Sequence, residues 1–513
     1  MRVELNILDY LRRAVAVYGD RVAMVDSDTS GELAEITYAS LERRANTMAA
    51  RLEEMGVGVG QRVAILSPNA SRFMVAFFGV SGHGRVLVPI NYRLNRDEVA
   101  FILEHSGVEV LLIDPEYDAA MAGLDVKHRI ALDGVQDREL FADTDAKPLN
   151  PWAGDEDATA SINYTSGTTA RPKGVRLTHR GLWINAAMMG WQLGVNDRDV
   201  YLHTLPMFHC NGWGMPYCVS GMGGKHVNLR AIDGEEILAR IEEHGVTLLN
   251  GAPAVVQRIL EAAAARRADG RHVPGRDQVR MVVAGAPPPT SVIAQLEDEL
   301  GWEFIQIYGL TETSPLLTMS RRRQEWDDLD TAARASKLVR AGAPAIGVDV
   351  KLSEDGEILA RSNHVFDGYW EQPEQTAEAM DGGWFRTGDG AIMDGPYVVV
   401  TDRKKDVIIS GGENVSSIEV EDCLYEHPDV AECAVIGVPD ENWGETVKAL
   451  VIRRPGTVVD EAGLIDHCRD RMAHYKCPTS ADFVDVLPRT ATGKLQKFRI
   501  RAPYWKNRDR QVS

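Results

Sequence analysis

The chain has 513 residues, 44% of them hydrophobic and 26% charged, with a formal net charge of −19. That length exceeds one ordinary hydrophobic core, so two or more domains are expected. The acidic balance excludes a general nucleic-acid binder, which needs a basic face, so any anion site has to be built locally.

No run of 18 or more apolar residues occurs, and the first 25 residues mix Arg, Asp and Glu into the pattern of an amphipathic helix. This argues against a signal peptide or a membrane span. The six cysteines, Cys210, Cys218, Cys423, Cys433, Cys468 and Cys477, include no Cys-x-x-Cys pair. Neither a zinc site nor a disulfide framework is indicated, and reduced thiols of a cytoplasmic protein are the simple reading. The glycosylation sequons at Asn69 and Asn414 are then chance matches, and the terminal Gln-Val-Ser is not a peroxisomal address.

Gly56-Val-Gly-Val-Gly60 has a dinucleotide-like spacing, yet it closes a helix and precedes a strand, the reverse of the required order, so it reads as a helix stop. Strands are predicted at 62–66, 85–90 and 108–113, with helical stretches near 69–81 and 96–105 between them. That alternation predicts a doubly wound parallel sheet. The acidic patch 154–157 and the basic run 321–323 read as solvated loop charges.

Tyr164-Thr-Ser-Gly-Thr-Thr-Ala-Arg-Pro-Lys-Gly174 follows an apolar run and reads as a phosphate cradle. Gly167 lets backbone N–H groups turn toward an anion, Ser166, Thr168 and Thr169 add hydroxyls, and Lys173 adds a compact positive charge. A nucleotide-hydrolase P-loop is excluded, because Pro172 stands where its second glycine belongs and Gly174 where its metal-binding hydroxyl belongs. The plain alternative is a polar surface loop between a strand and a helix.

Further strands are predicted at 246–250, 279–284 and 303–307, each ending in Gly, Ala or Pro, where ligand sites of such sheets lie. Beyond them a strand at 397–401, a charged turn at 402–406 and a strand at 407–409 lead into a mixed region. It has helices near 417–426 and 460–473 and strands near 431–437 and 447–452, a small α+β lid of ordinary domain size.

Four segments accompany the phosphate loop in order: Tyr308-Gly-Leu-Thr-Glu-Thr-Ser-Pro315, Gly383-Trp-Phe-Arg-Thr-Gly-Asp389, Asp402-Arg-Lys-Lys-Asp-Val-Ile-Ile-Ser-Gly-Gly-Glu-Asn414 and Pro488-Arg-Thr-Ala-Thr-Gly-Lys494. With them the chain resembles the adenylate-forming acyl-CoA synthetases, relatives of the luciferases and of peptide-synthetase adenylation domains, over nearly its whole length. The resemblance implies an α/β fold: a large N-terminal domain, 1–401, with doubly wound sheets, and a small mobile α+β lid, 402–513.

It also implies the chemistry. A carboxylate is a poor electrophile, so it is first transferred to the α-phosphate of ATP, and AMP becomes the leaving group for attack by the thiol of CoA. By resemblance the 164–174 loop holds the β- and γ-phosphates, with Thr165 and Glu312 as the magnesium contacts. Tyr308 stacks on adenine beside Gly285-Ala286-Pro287, and Thr311 reaches the α-phosphate or an acyl oxygen. Asp389 accepts the ribose hydroxyls and Arg403 donates to the same sugar. Lys494 offsets charge at the acyl oxygen and α-phosphate during adenylation. Asp402 is the hinge about which the lid rotates to bring Ser410, Gly411 and Gly412 to the thiol channel. A tight hairpin bend satisfies the two glycines equally well.

Leu205-Pro-Met-Phe-His-Cys-Asn-Gly-Trp-Gly-Met-Pro-Tyr217 is similar to the acyl segment of medium- and long-chain fatty acyl-CoA synthetases. There the resemblance gives His209 the carboxylate end and Trp213 the gate of the acyl tunnel. Branched or aryl acids suit the same lining, and so does plain core packing. One departure is Ala170 where the family has glycine, at a cost of about 1 kcal/mol if the backbone needs a positive φ.

The expected partners are an apolar acid, ATP and CoA, with a homodimer admitted and neither nucleic acid nor an integral membrane segment. The alternative is an amide-forming ligase, or a loader of a carrier protein in trans, since both share every adenylation motif. A non-catalytic nucleotide sensor is opposed by the intact Glu312, Asp389, Arg403 and Lys494.

Overall fold

The computed structural model describes residues 3–29, 31–165, 172–285, 288–403, 406–410, 413–440, 443–489 and 495–506, with the backbone alone at 403 and 414. Two mixed sheets dominate it. In the first, the strands run in the order Gly368–Tyr369, Lys173–Thr178, Thr159–Thr165, Val86–Ile90, Arg62–Leu66, Val108–Ile113, His128–Ala131. The last five are parallel, and the first two pair antiparallel at one edge.

The second sheet has nine strands, with a parallel centre of Glu303–Gly309, Arg280–Val283, Leu248–Gly251, Val200–His203 and Lys225–Asn228. The elements match the expected alternation of apolar runs. The strands Arg62–Leu66 and Val108–Ile113 have the expected bounds, whereas 246–250 shifts to Leu248–Gly251. Helix Arg96–Ser106 starts at a capping box between Asn95 and Glu98 and stops at Gly107, whose φ of +62° suits glycine.

One continuous apolar core lies between the two sheets. Phe77 and Phe78 of helix Ser71–Gly79, which follows a strand of the first sheet, each set a ring 5.8 Å from that of Tyr217. Tyr217 belongs to helix Met215–Met222 and lies close to the second sheet, so the aromatic contact joins the two halves.

A third, antiparallel sheet contains Val348–Leu352, Glu357–Ser362, Met380–Asp381, Trp384–Asp394 and Tyr397–Arg403. The fourth holds Ile408–Ser410, Glu413–Val415, Val430–Asp440, Gly444–Arg453 and Ser480–Phe483, with helices Ser417–Tyr425 and Glu461–Arg469 packed over its own core. The helix expected to reach 473 ends at Arg469, and a short 3-10 turn occupies His474–Lys476.

Two charge assignments are corrected. Glu156 is buried rather than solvated, because it accepts from the Leu5 amide and pairs with Arg180 at 2.7 Å, pinning the N-terminal segment. Arg321 pairs with Glu303 at 2.6 Å across adjacent strands. Among the described residues, no helix is long and apolar enough to cross a membrane.

Candidate active site

Thr165 ends one strand and Lys173 opens the next, and the two are register partners in an antiparallel pair. The segment after the loop is therefore a strand rather than the helix of the plain alternative, and helix His179–Leu193 begins only afterwards. The P-loop order of strand, loop and helix is absent here. Ser166, Gly167, Thr168, Thr169 and Ala170 lie outside the described residues.

The Lys173 ammonium stands 4.6 Å from the ring centre of Tyr369, whose hydroxyl donates to Glu312 Oε1 at 2.9 Å. Burial, then the Glu312 carboxylate, pushes the Tyr369 hydroxyl above the ordinary tyrosine range, so it stays a donor. Sequence reasoning missed Tyr369. It joins two site residues that are 139 positions apart in numbering, 173 and 312.

Glu312 and Thr311 lie on the turn Thr311–Thr313 after strand Glu303–Gly309. Gly309 admits no side chain there, because a Cβ would stand 1.7 Å from the Pro315 carbonyl oxygen. Tyr308, on the same strand, donates its hydroxyl to Asp389 Oδ2 at 2.8 Å. Asp389 is buried and faces Arg403 as its antiparallel register partner. The structure thus brings together the residues expected at adenine and ribose. Gly285, with φ +96°, follows strand Arg280–Val283, and Ala286 and Pro287 lie outside the described residues.

A threonine hydroxyl at 165 and the Glu312 carboxylate are hard oxygen donors, flanking the wall that holds Lys173. This donor chemistry fits magnesium carried by phosphates.

The segment 209–214 holds a left-handed turn that extends on both sides of its Asn211-Gly212 dipeptide. Cys210, Asn211, Gly212 and Trp213 have φ of +37°, +43°, +58° and +58°, and Gly214 continues at +78°. A left-handed turn of mostly non-glycine residues costs about 1–2 kcal/mol per residue. Buried amides hold it. Asn211 donates to Ser161 Oγ at 2.8 Å and accepts from Asn163 at 3.2 Å, while Asn185 donates to the Trp213 carbonyl at 3.3 Å.

His209, half-buried, opens this turn, and Trp213 is buried within it. Cys210 Sγ lies 3.9 Å from the Thr311 carbonyl oxygen, so the acyl segment abuts the Thr311–Glu312 turn. Burial, then Glu312, raises the Cys210 thiol pKa, which leaves it a neutral packing group.

On the lid side, Asp402 Oδ2 accepts from the Ser417 amide at 3.0 Å and from its hydroxyl at 2.5 Å. Ser410 pairs with Glu413, the pairing that a two-residue hairpin connection needs, and Gly411 and Gly412 between them lie outside the described residues. Lys494 also lies outside them. Its flanks are fixed: Arg489 bridges to Leu495, and the Gln496 amide donates to the Pro488 carbonyl at 2.9 Å.

Two mixed α/β halves that share one core, and a smaller unit with its own sheet and core, make a two-part α/β protein. The AMP-binding enzyme model matches residues 11–370 and the AMP-binding enzyme C-terminal domain model matches 419–494; the chain belongs to this family of adenylate-forming acyl-CoA synthetases. It is similar to the 2-methylpropanoate–CoA ligase CCL4 of Humulus lupulus, 36% identical over 97% of this chain and 94% of that one. It is also similar to the peroxisomal trans-cinnamate:CoA ligase of Petunia hybrida, 33% identical over 97% and 94%. The solved anthranilate CoA ligase AuaEII, in complex with anthranoyl-AMP, superposes with a TM-score of 0.87 at 26% identity, covering 98% of each chain. The protein is an AMP-forming acyl-CoA ligase, which adenylates a carboxylic acid with ATP and passes the acyl group to CoA.

Proposed function

We propose that the acid is apolar, a fatty, branched or aryl carboxylate, seated against the His209–Trp213 turn with its carboxylate toward Thr311. The contact between Cys210 and Thr311 carries this reading, because it sets the acyl turn against the acidic turn. A buried aromatic wall with few placed polar groups suits such ligands. The relatives' names, 2-methylpropanoate and trans-cinnamate, support branched and aryl acids.

In this reading Thr165, Ser166, Gly167, Thr168, Thr169 and Lys173 hold the β- and γ-phosphates. Gly285, Ala286 and Tyr308 bracket adenine, and Asp389 with Arg403 holds the ribose. Thr165 and Glu312 would hold magnesium, which supplies charge neutralisation to the phosphates. Thr311 and Lys494 face the charge that develops as carboxylate oxygen meets the α-phosphate. The domain boundary falls at 402, where Asp402 serves as the hinge, and Ser410, Gly411 and Gly412 border the thiol path in the second step.

Residence is cytoplasmic, and a homodimer is compatible with the acyl site as described; light scattering at micromolar concentration measures the latter. The test of substrate class is incubation with ATP, magnesium, CoA and a panel of straight, branched and aryl acids, read by mass spectrometry. Acyl-CoA from apolar acids alone supports the reading, and turnover of only polar or dicarboxylic acids overturns it.

A further inference from the structure

Helix Ser417–Tyr425 carries Ser417, Glu419, Glu421 and Asp422; Glu419 pairs with Lys476 at 2.7 Å, and the other three face the hinge, the neighbouring strand and the large unit. Ser417 binds the hinge carboxylate of Asp402 through both its amide and its hydroxyl. Asp422 accepts from the Thr290 amide at 3.2 Å, a contact that reaches across to the large unit. Glu421, one helical turn after Ser417 and on the same face, accepts from the Val435 amide at 2.7 Å.

Lys497 completes the set. Its ammonium lies 2.8 Å from Glu421 Oε1 and donates to Ser417 Oγ. Burial opposes its charge, yet Glu421 and then Asp402 hold its pKa above the ordinary lysine value. One buried cation therefore serves two buried carboxylates, one of them at the hinge. Four residues on, Arg501 pairs with Asp406 at 2.9 Å, so the same short helix, Lys497–Arg501, grips the chain on the far side of the hinge. Upstream of Lys497, Leu495 is bridged to Arg489, which itself pairs with Glu432 at 2.7 Å.

We infer that Lys497 is a positioning residue for adenylation: by binding Ser417 and Glu421 beside Asp402, it fixes the hinge carboxylate against helix Lys497–Arg501, which follows Lys494 in the chain. The inference rests on the proposed roles of Asp402 and Lys494, and it assigns to Lys497 no contact with substrate. Surface pairing does not explain it, because Asp402 and Ser417 are buried, the Lys497 and Glu421 side chains are only 12% and 14% exposed, and the amide of Ser417 is engaged as well.

The experiment separates the two half-reactions in the full-length protein: pyrophosphate release with acid and ATP, and acyl-CoA formation from supplied acyl-AMP. Lys497→Met is expected to lose adenylation by roughly 10²-fold, the scale of an ångström-size misplacement, while the thioester step falls less than about threefold. Lys497→Arg, which keeps the cation, restores adenylation to within about fivefold of the parent. Equal loss in both steps, no loss in either, or loss confined to the thioester step overturns the inference. If Lys497→Met fails to fold by thermal melting, Glu421→Gln, which keeps an acceptor for the Val435 amide, carries the same expected asymmetry. Lys494→Ala is assayed alongside. If it retains adenylation, the underlying reading of Lys494 fails; if it loses adenylation while Lys497→Met does not, only the role of Lys497 fails.

Discussion

Along the wall proposed for the nucleotide, Lys173, Tyr369, Glu312, Tyr308 and Asp389 keep ordinary backbone angles and meet through their side chains. Along the acyl wall the reverse holds: Cys210 to Trp213 are bent left-handed, and the side chains beneath them, Asn211, Asn163 and Ser161, serve mainly to hold the backbone. In the proposed reading, triphosphate recognition would rest on charges and hydroxyls at fixed spacings, and acid recognition on the shape of a left-handed turn.

Substitutions on the two sides should therefore differ in what they change. The largest effect belongs to Lys494→Ala, which should lower the adenylation rate by about 10²–10⁴ for every acid alike, measured as pyrophosphate release. A loss that varied with the acid would erase the contrast between the walls.

Acid should weaken the core behind the acyl wall. His203 and His226 are buried side by side, Nε2 to Nδ1 at 3.0 Å, and His226 also contacts Ser220 at 3.0 Å. Burial lowers His226 to about 3 and, with His226 beside it, lowers His203 as well. An unfolded imidazole takes up a proton near pH 6.5. The stability these neutral rings contribute is thus fully present above pH 6.5 and is lost as pH falls toward about 3. Each group contributes a slope of up to about 1.4 kcal/mol per pH unit in that window. Melting temperatures measured from pH 7.5 to 4.5 should fall steadily below 6.5, and a flat profile would contradict the assignment.

Asn211→Ala leaves Asn163 and Ser161 short of partners, at about 1–3 kcal/mol. It should raise KM for the acid several-fold while KM for ATP stays nearly unchanged; parallel rises in both would merge the two walls. Trp213→Ala should shift chain-length preference by about tenfold, the scale of opening a buried aromatic contact, with ATP use unaffected. The smallest change is expected from Tyr308→Phe, which removes one hydrogen bond to Asp389 and should raise KM for ATP about three- to fivefold, a loss of about 1 kcal/mol.

This contrast also explains what could be read from the chain alone. Strands 62–66 and 108–113 were legible because apolar runs bounded by glycine leave few alternatives, and the order of motifs carried the family. Tyr308 and Asp389 were expected at one nucleotide, and the hydrogen bond that joins them was not legible. The strand after the phosphate loop was missed because Lys173 to Thr178 alternates too briefly to distinguish it from the start of a helix. Asn211-Gly212 is a dipeptide that favours positive φ, but Cys210 and Trp213 on either side are not residues that do, and the partners Ser161, Asn163 and Asn185 that hold the turn lie far away in the chain. Lys497 and Glu421 stand in no motif, and sequence does not say which charges a small domain will enclose.

All six cysteines are buried, none more than 8% exposed, and each is a free thiol. A chromogenic disulfide reagent added to aliquots of the native reaction should then react with the CoA that remains and leave the protein silent, so consumption of the acceptor is read point by point as a loss of colour. Released by denaturant, the same six thiols become titratable, and the colour that appears without CoA reports the fraction of chains that have lost their fold.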